Sequence, residues 1–482
     1  MVFGLKDLIA IVPEIIVALG GCMLLLLDFL IPKERKALVA GFAVITVFCA
    51  AFFSLFLIGT DLMGRGVLSG MFVVDGFSTF FKFVAYLATV LSIILSLHYV
   101  KEEDINTGEY YILMLFSLFG MMVVSSAKDL LTVYIGVELM SLPVYVLVGF
   151  MQNDVRSNEG AMKYIILGAF SSGILLYGIS LIYGICGTTE LTKVAASLSD
   201  ASTHTPLLSI AIITLIVGFG FKIAAVPFHM WAPDAYEGAP TPITAFMSAG
   251  PKAAAFAVIV RVFSVGLNPV YGQWMVAVAV VAVLSLVYGN TVAIAQKNIK
   301  RMLAYSSIGH AGYALLGLAA GTVEGISAVL YYMAVYAFMN LGAFGVIIMM
   351  RKGGQKGEMI EDYAGLAKTN RGLSLVMLIF MFSLAGLPPT AGFVGKFYVF
   401  MALIHRGMVG LAMIAVLMSV VAAYFYIRIV MLMYMKEPAA TFEIARTRGI
   451  YYAIAVATAG TILLGVFPAY LIKIAEMAGG LF

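Results

Sequence analysis

"FKIAAVPFHMWAPDAYEGAPTP", residues 221–242, interrupts a chain that is otherwise close to continuous hydrocarbon. It places Lys222 in an apolar run and then adds His229, Trp231, Asp234, Glu237 and four of the chain's 14 prolines. A charge beside a broken backbone is costly wherever water is scarce. The meaning of the stretch therefore depends on what surrounds it.

Hydrophobic residues make up 62% of the chain and charged ones 11%, with a mean hydropathy of +1.04. A soluble domain carries roughly 25% charged residues, so the composition is that of a membrane protein. Apolar runs of about 20 residues, long enough to cross a bilayer, recur roughly 14 times. They lie near 8–31, 37–59, 72–98, 109–127, 129–150, 160–186, 207–228, 243–266, 274–295, 302–320, 325–350, 371–402, 408–434 and 449–473. The expected architecture is thus an all-α polytopic membrane protein of about 14 transmembrane helices, with residues 1–482 as one membrane domain. The first run reads as a span rather than a cleaved signal peptide. It has no basic n-region or small-residue cleavage site, and Glu14 interrupts it.

Loop cations set the orientation. One side of the membrane would hold Lys33, Arg35, Lys36, Lys101, Arg156, Lys163, Lys297, Lys300, Arg301, Arg351, Lys352, Lys356, Lys368, Arg371, Lys436, Arg446 and Arg448. The other would hold only Lys6, Arg65, Lys128, Lys193, Arg406 and Lys473. The positive-inside rule makes the first side cytoplasmic and puts both termini on the other, which fits an even number of spans. Six cations belong to no loop: Lys82, Lys222, Lys252, Arg261, Lys396 and Arg428. A cation at mid-bilayer costs about 2.5–3.5 kcal/mol or more, so these face protein or water.

Several chemistries are disfavoured. Cys22, Cys49 and Cys186 are scattered over distant spans, which cannot hold a zinc ion or iron–sulfur centre. Phosphate-binding glycine loops of the P-loop or dinucleotide type are missing. The longest stretches between spans, near 187–206 and 351–370, are too short for a soluble catalytic domain. The net charge of +4 reflects cytoplasmic loops rather than a nucleic-acid surface.

The spans at 207–228 and 371–402 each combine a proline break with a lysine: Lys222 with Pro227, and Pro388-Pro389 with Lys396. They are five spans apart, so repeats of five spans would lie inverted, as in many transporters. A chance match of prolines and lysines is the alternative. In lipid the carbonyls freed by proline must meet protein or water, so a break beside a lysine suits ordered water.

Glu138, in "YIGVELMSLP", sits in the middle of another span. Close to Lys222 it would hold the lysine protonated; moved away, it would let the proton go. A static ion pair is the simpler alternative. Lys252, after Pro251, and His310, in "YSSIGHAGY", extend the candidates to a Lys222–Lys252–His310–Lys396 series that could relay protons through water. His229, two helical turns after Lys222, is a further candidate if the helix continues past Pro227. Lys82, Arg261 and Arg428 read as structural counter-charges or snorkelling residues. Asp129 reads as a helix N-terminal charge. Asp234 and Glu237 could collect protons at an entrance or simply be solvated.

"FKIAAVPFHMWAPDAYEGAPTPITAFMSAGPKAA", "NIKRMLAYSSIGHAGY" and "LAGLPPTAGFVGKFYVF" resemble the proton-translocating, antiporter-like subunits of respiratory complex I. The same blocks occur in multisubunit cation/proton antiporters. The motifs span much of 221–397, and the resemblance extends over roughly 110–435. The terminal antiporter-like subunit is longer, and the middle one typically has glutamate where this chain has Lys396, so the chain most resembles the subunit N branch. The resemblance implies a core over 105–435, with inverted five-helix repeats at about 105–268 and 270–435, each with a broken helix. It further implies Glu138 and Lys222 as a coupling pair, Lys252 and His310 on a hydrophilic axis, and Lys396 on the exit side.

The function it implies is proton translocation coupled to electron transfer from NADH to quinone. The chain would carry no cofactor of its own. FMN, iron–sulfur clusters and quinone are expected in partner subunits. Expected partners are the other membrane and peripheral subunits, including neighbouring antiporter-like subunits, and the lipid bilayer, with no nucleic acid. The expected location is a bacterial inner membrane. A subunit of a sodium/proton antiporter without redox partners is the rival reading, and a scaffold whose buried charges only fix helix register is a third.

Overall fold

The computed structural model describes residues 4–32, 35–200, 205–350, 357–438 and 447–480. The loop cations Lys33, Arg351, Lys352, Lys356 and Arg446 lie outside the described residues. The chain is almost wholly helical, as a membrane-spanning backbone must be to satisfy its own hydrogen bonds. The N-terminal helices are α1 Leu5–Ala10, α2 Val12–Asp28, α3 Ala37–Leu57 and α4 Gly76–Glu102. Next come α5 Gly108–Ser126, α6 Leu130–Val148, α7 Val155–Cys186, the short α8 Leu191–Leu198, α9 Pro206–Lys222, α10 Trp231–Gly238 and α11 Thr241–Arg261. The second half runs α12 Tyr271–Ile294, α13 Ile299–Ala319, α14 Val323–Met349, α15 Leu366–Thr369, α16 Arg371–Ala385, α17 Ala391–His405 and α18 Val409–Met435. It closes with α19 Arg448–Val466 and α20 Ala469–Gly479.

Ten of the described helical segments are long and apolar enough to cross a membrane. Three shorter apolar helices, α9, α16 and α17, flank backbone breaks. Polar side chains start several helices by accepting N–H groups of the first turn: Asp75 for α4, Asp129 for α6, Asp154 for α7, Asn298 for α13 and Asn370 for α16. Asp129 accepts from Leu131 and Thr132 and also takes the Thr189 hydroxyl, which makes it the helix-start charge the sequence suggested. A two-residue antiparallel pairing of Gly66–Val67 with Phe72–Val73, which hydropathy does not reveal, bridges onward from Phe72 to Ala127. It ties the start of α4 to the α5–α6 junction.

The helices form layers of unequal burial. The apolar window of α11 is 100% buried and that of α14 94%, against 28% for α18 and α19. α11 packs on α4, α5 and α14, and α14 packs further on α16, α17 and α19. The outer helices turn Phe48, Phe52, Val420 and Tyr452 outward, an apolar surface suited to lipid or a membrane partner.

The helix expected across 207–228 stops at Lys222. Ala224 adopts φ +56°, and Pro227 has no N–H to continue the ladder. The backbone groups around this break are met within the protein. Ala225 donates to the Gly220 carbonyl at 2.8 Å, Val226 to the Ser285 hydroxyl at 2.9 Å, and the Trp231 indole to the Phe221 carbonyl at 3.0 Å. The span expected across 371–402 divides into α16 and α17. Gly386, at φ +87°, ends α16 in a left-handed turn that a residue with a Cβ would resist, and Pro388 and Pro389 follow. The last apolar run is also divided, at Phe467–Pro468, into α19 and α20.

Candidate functional site

Lys222 is the last residue of α9, and its side chain turns inward toward α6 and α7. Its ammonium lies 3.3 Å from Glu138 Oε1, 3.1 Å from Ser141 Oγ, 3.3 Å from Tyr145 Oη and 3.3 Å from Ser172 Oγ. Ser172 also donates to the same Glu138 oxygen, so the carboxylate has a neutral donor as well as a charged one. The lysine side chain is 2% exposed and that of Glu138 22%. This asymmetry matters because the carboxylate can be rehydrated more readily than the ammonium. Removing one partner of a buried pair costs about 3–5 kcal/mol, since it strands the other charge.

The remaining candidates gather around α13. Lys252, on α11, donates to the main-chain carbonyl of Ser307 at 2.9 Å and makes a short contact with the Ser307 hydroxyl. Tyr236, on α10, meets that hydroxyl at 3.3 Å. One turn further along α13, His310 Nδ1 lies 2.6 Å from Tyr332 Oη and Nε2 lies 3.1 Å from Tyr426 Oη. Tyr426 in turn bonds Ser306. Tyr313, three residues beyond His310, presents its ring 4.8 Å from the Lys396 ammonium. Ser306, Ser307, His310 and Tyr313 thus share one face of α13, and this face lies between Lys252 and Lys396.

Lys396, on α17, is bound without a carboxylate. It donates to the carbonyls of Leu384 and Ala385 at 3.1 and 2.9 Å and to Ser419 Oγ at 3.1 Å. The two carbonyls are among the orphans left where α16 ends, so the break itself supplies negative dipoles for the lysine.

The structure does not link every candidate. Among the described residues, hydrogen bonds do not join the Lys222 cluster directly to Lys252. Aromatic rings occupy the interval: Tyr145 on Tyr164 at 4.4 Å, Tyr164 stacked on Trp231 at 4.0 Å, and Trp231 against Tyr236 at 6.4 Å. His229 lies beyond the end of α9, so the helical spacing that suggested it does not apply. Its ring packs 4.6 Å from Tyr288, and its polar neighbour is the Pro227 main chain.

The other charges are accounted for by neighbours. Lys82 pairs with Glu14 at 2.6 Å, and Arg261 forms a two-pronged pair with Asp75 at 2.8 and 3.0 Å. Arg428 donates to the Ile294 carbonyl at 3.0 Å. Asp234 and Glu237 sit among cations. Lys163 and Arg301 each lie 2.6 Å from Asp234, and Arg301 and Arg156 lie 2.9 and 3.6 Å from Glu237. Among the described residues, no group of three or more His, Cys, Asp or Glu is placed to hold a metal ion.

Sequence reasoning missed Ser141, Tyr145, Ser172, Ser307, Tyr332, Ser419 and Tyr426. Serines and tyrosines are ordinary in spans, and only tertiary contacts distinguish these. The serine pair in "YSSIGHAGY", three and four residues before His310, was the one local signal.

Comparison with known proteins matches residues 127–423 to the family described as NADH:quinone oxidoreductase/Mrp antiporter, transmembrane. NADH-quinone oxidoreductase subunit N 2 of Rhizobium meliloti (strain 1021) is 53% identical over 98% of this chain and 97% of its own. A chain of respiratory complex I from Thermus thermophilus, solved with bound aureothin, superposes with a TM-score of 0.82 at 32% identity, covering 96% of this chain and 98% of that one. A chain of the Mrp complex from Dietzia sp. DQ12-45-1b gives a TM-score of 0.84 at 21% identity, covering 98% of this chain and 97% of its own, and shares the fold. The chain belongs to the NADH:quinone oxidoreductase/Mrp antiporter membrane family, in its branch of NADH-quinone oxidoreductase N subunits.

Proposed function

We propose that this chain is a proton-translocating membrane subunit of an NADH-quinone oxidoreductase. The observation that carries the reading is the 3.3 Å Lys222–Glu138 pair at the end of a broken helix. With Glu138 close, Lys222 keeps its proton. When Glu138 withdraws toward its more exposed side, the ammonium loses its counter-charge in a poorly hydrated pocket and gives the proton up. Lys252, Ser307, His310 and Lys396 take it onward along the face of α13 to the non-cytoplasmic side. Electron transfer from NADH to quinone takes place in partner subunits that hold FMN and iron–sulfur clusters, and neighbouring antiporter-like subunits adjoin this chain.

The proposed core covers 105–435, built from inverted repeats at about 105–268 and 270–435. The order of α5–α11 and of α12–α18, each with a helix broken beside a lysine, supports it. The proposed location is a bacterial inner membrane with both termini on the non-cytoplasmic side, supported by the loop cations and the bacterial relatives.

The test is Lys222→Ala in the assembled complex. It is expected to lower proton pumping and quinone reduction together while leaving subunit composition unchanged; normal coupled turnover would sink the reading. Membership of a sodium/proton antiporter instead predicts that the chain purifies without flavin or iron–sulfur protein.

A further inference from the structure

Asp234, on α10, is shared by cations from two sides. Its Oδ2 lies 2.6 Å from the Lys163 ammonium of α7, and its Oδ1 lies 2.6 Å from Arg301 Nη1 of α13. The same Arg301 nitrogen reaches Glu237 Oε2 at 2.9 Å, so one group of α13 bridges both acids of α10. The two flanks of α10 are otherwise built differently. Toward α7 the backbones touch. A Cβ on Gly160 would stand 2.8 Å from the Asp234 carbonyl oxygen, and one on Gly238 would run into the Arg156 carbonyl. Trp231 is also stacked on Tyr164 of α7 at 4.0 Å. Toward α13 the ties are side chains. Besides the Arg301 bridge there is the Tyr236–Ser307 hydroxyl contact at 3.3 Å, and Lys300 donates to the carbonyls of Glu237 and Ala239 at 2.7 and 2.8 Å. A cavity of about 220 Å³, lined by Arg156, Glu159, Gly160, Asp234, Glu237 and Arg301, lies against the bridge.

We infer that Arg301, by bridging Asp234 and Glu237, latches α10 to α13, and that this seam is where the first half of the chain parts from the second. The inference rests on the proton-translocation reading and adds positioning residues to it. Close backbone packing cannot loosen without opening a void, so α10 moves as one body with α7. Partly exposed ion pairs, by contrast, break and re-form at small cost. The bridge is of that kind, since the Arg301, Asp234 and Glu237 side chains are 29%, 25% and 19% exposed. Lys300, buried and paired with Glu358 at 3.3 Å, grips the last residues of α10 and marks the pivot. With the bridge closed, Tyr236 meets Ser307, the residue that receives Lys252. With it open, Tyr236 and Ser307 part, and the polar cavity gains access to Lys252 without any control from Glu138. The latch thus keeps the two lysines from being loaded out of step. Arg301, Asp234 and Glu237 act here through the placement of α10 and carry no transferred proton.

The experiment compares the two cations that flank the same carboxylate, in the intact complex in liposomes. The readouts are the decay of an imposed pH gradient without NADH and the protons moved per NADH oxidised. Arg301→Met leaves Asp234 paired with Lys163 and Glu237 beside Arg156, so it strands no acid. It is expected to speed the decay at least about fivefold, the change that loss of a charged hydrogen bond brings, and to lower the proton ratio while NADH oxidation continues. Arg301→Lys, which can still bridge the acids, should recover most of the loss. Lys163→Met removes a charge from the other flank and should stay within about twofold of wild type, because backbone packing holds that side. Equal leaks in Arg301→Met and Lys163→Met, or a wild-type leak and ratio in Arg301→Met, overturn the latch. If Arg301→Met fails to assemble, the double variant Asp234→Asn/Glu237→Gln decides: a raised leak supports the latch and a wild-type leak overturns it. Normal pumping in Lys222→Ala, run alongside, would instead overturn the underlying function.

Discussion

The two helix breaks hold their lysines in different ways. At the first, Lys222 ends α9 and faces a carboxylate, Glu138, together with three hydroxyls. At the second, Lys396 lies beyond the break on α17 and reaches back to the carbonyl ends of α16, with one serine. A formal counter-charge attracts an ammonium more strongly than neutral dipoles do, and it can be moved by a side-chain rotation. Carbonyls at a helix end are fixed by the backbone. The first site therefore suits a switch whose hold on the proton can be turned up or down. The second suits a way-station with a constant hold. Two similar sequence elements, a lysine beside prolines, have been put to different uses by what the rest of the fold brings to them.

Substitutions can break this contrast. The largest effect is expected for Lys222→Arg. Guanidinium keeps its charge at any physiological pH, so the pair with Glu138 survives but the proton is never released. Coupled quinone reduction should fall about tenfold or more in an assembled complex, and turnover close to wild type would show that the pair is only structural. Ser419→Asp tests the opposite end by giving Lys396 the carboxylate it lacks, at a position now 3.1 Å away. The way-station should become a trap, with a several-fold loss of turnover. Unchanged turnover would show that the hold on Lys396 does not matter. Ser172→Ala removes the neutral donor that shares Glu138 with Lys222. A lost hydrogen bond worth about 1 kcal/mol corresponds to a change of roughly fivefold, seen in turnover rather than assembly. His229→Gln should have the smallest effect, within about twofold, because the ring packs on Tyr288 and its polar neighbour is the Pro227 main chain, which glutamine can also meet. A large loss there would put His229 back on the proton route.

The sequence made some of this legible for identifiable reasons. Apolar runs reveal spans because lipid demands them, so the bounds of α3, α5, α6, α13 and α14 differ from the expected runs by only a few residues. Lys222, Glu138, Lys252 and Lys396 are conspicuous because ionised groups are rare in such runs. The end of α9 at Lys222 was hidden, since the run stays apolar to Phe228 while the backbone turns at Ala224. The partners of Lys396 were equally hidden. Two of them are main-chain carbonyls, which any residue could supply. Glu14 was visible only as an interruption of the first span. Its purpose, a 2.6 Å pair with Lys82 on α4, depends on how α2 and α4 approach one another.

The central claim is that Glu138 controls the proton on Lys222, and Glu138→Gln tests it most directly. The amide keeps the shape and can still accept from Ser172 and Lys222, but it has no charge to bring close or withdraw. The measurement is the number of protons moved per NADH oxidised by the intact complex in liposomes, with subunit composition checked in the same preparation. The account predicts a clear fall in that ratio, or in the coupled rate, with every subunit present. A wild-type ratio at a wild-type rate would contradict it.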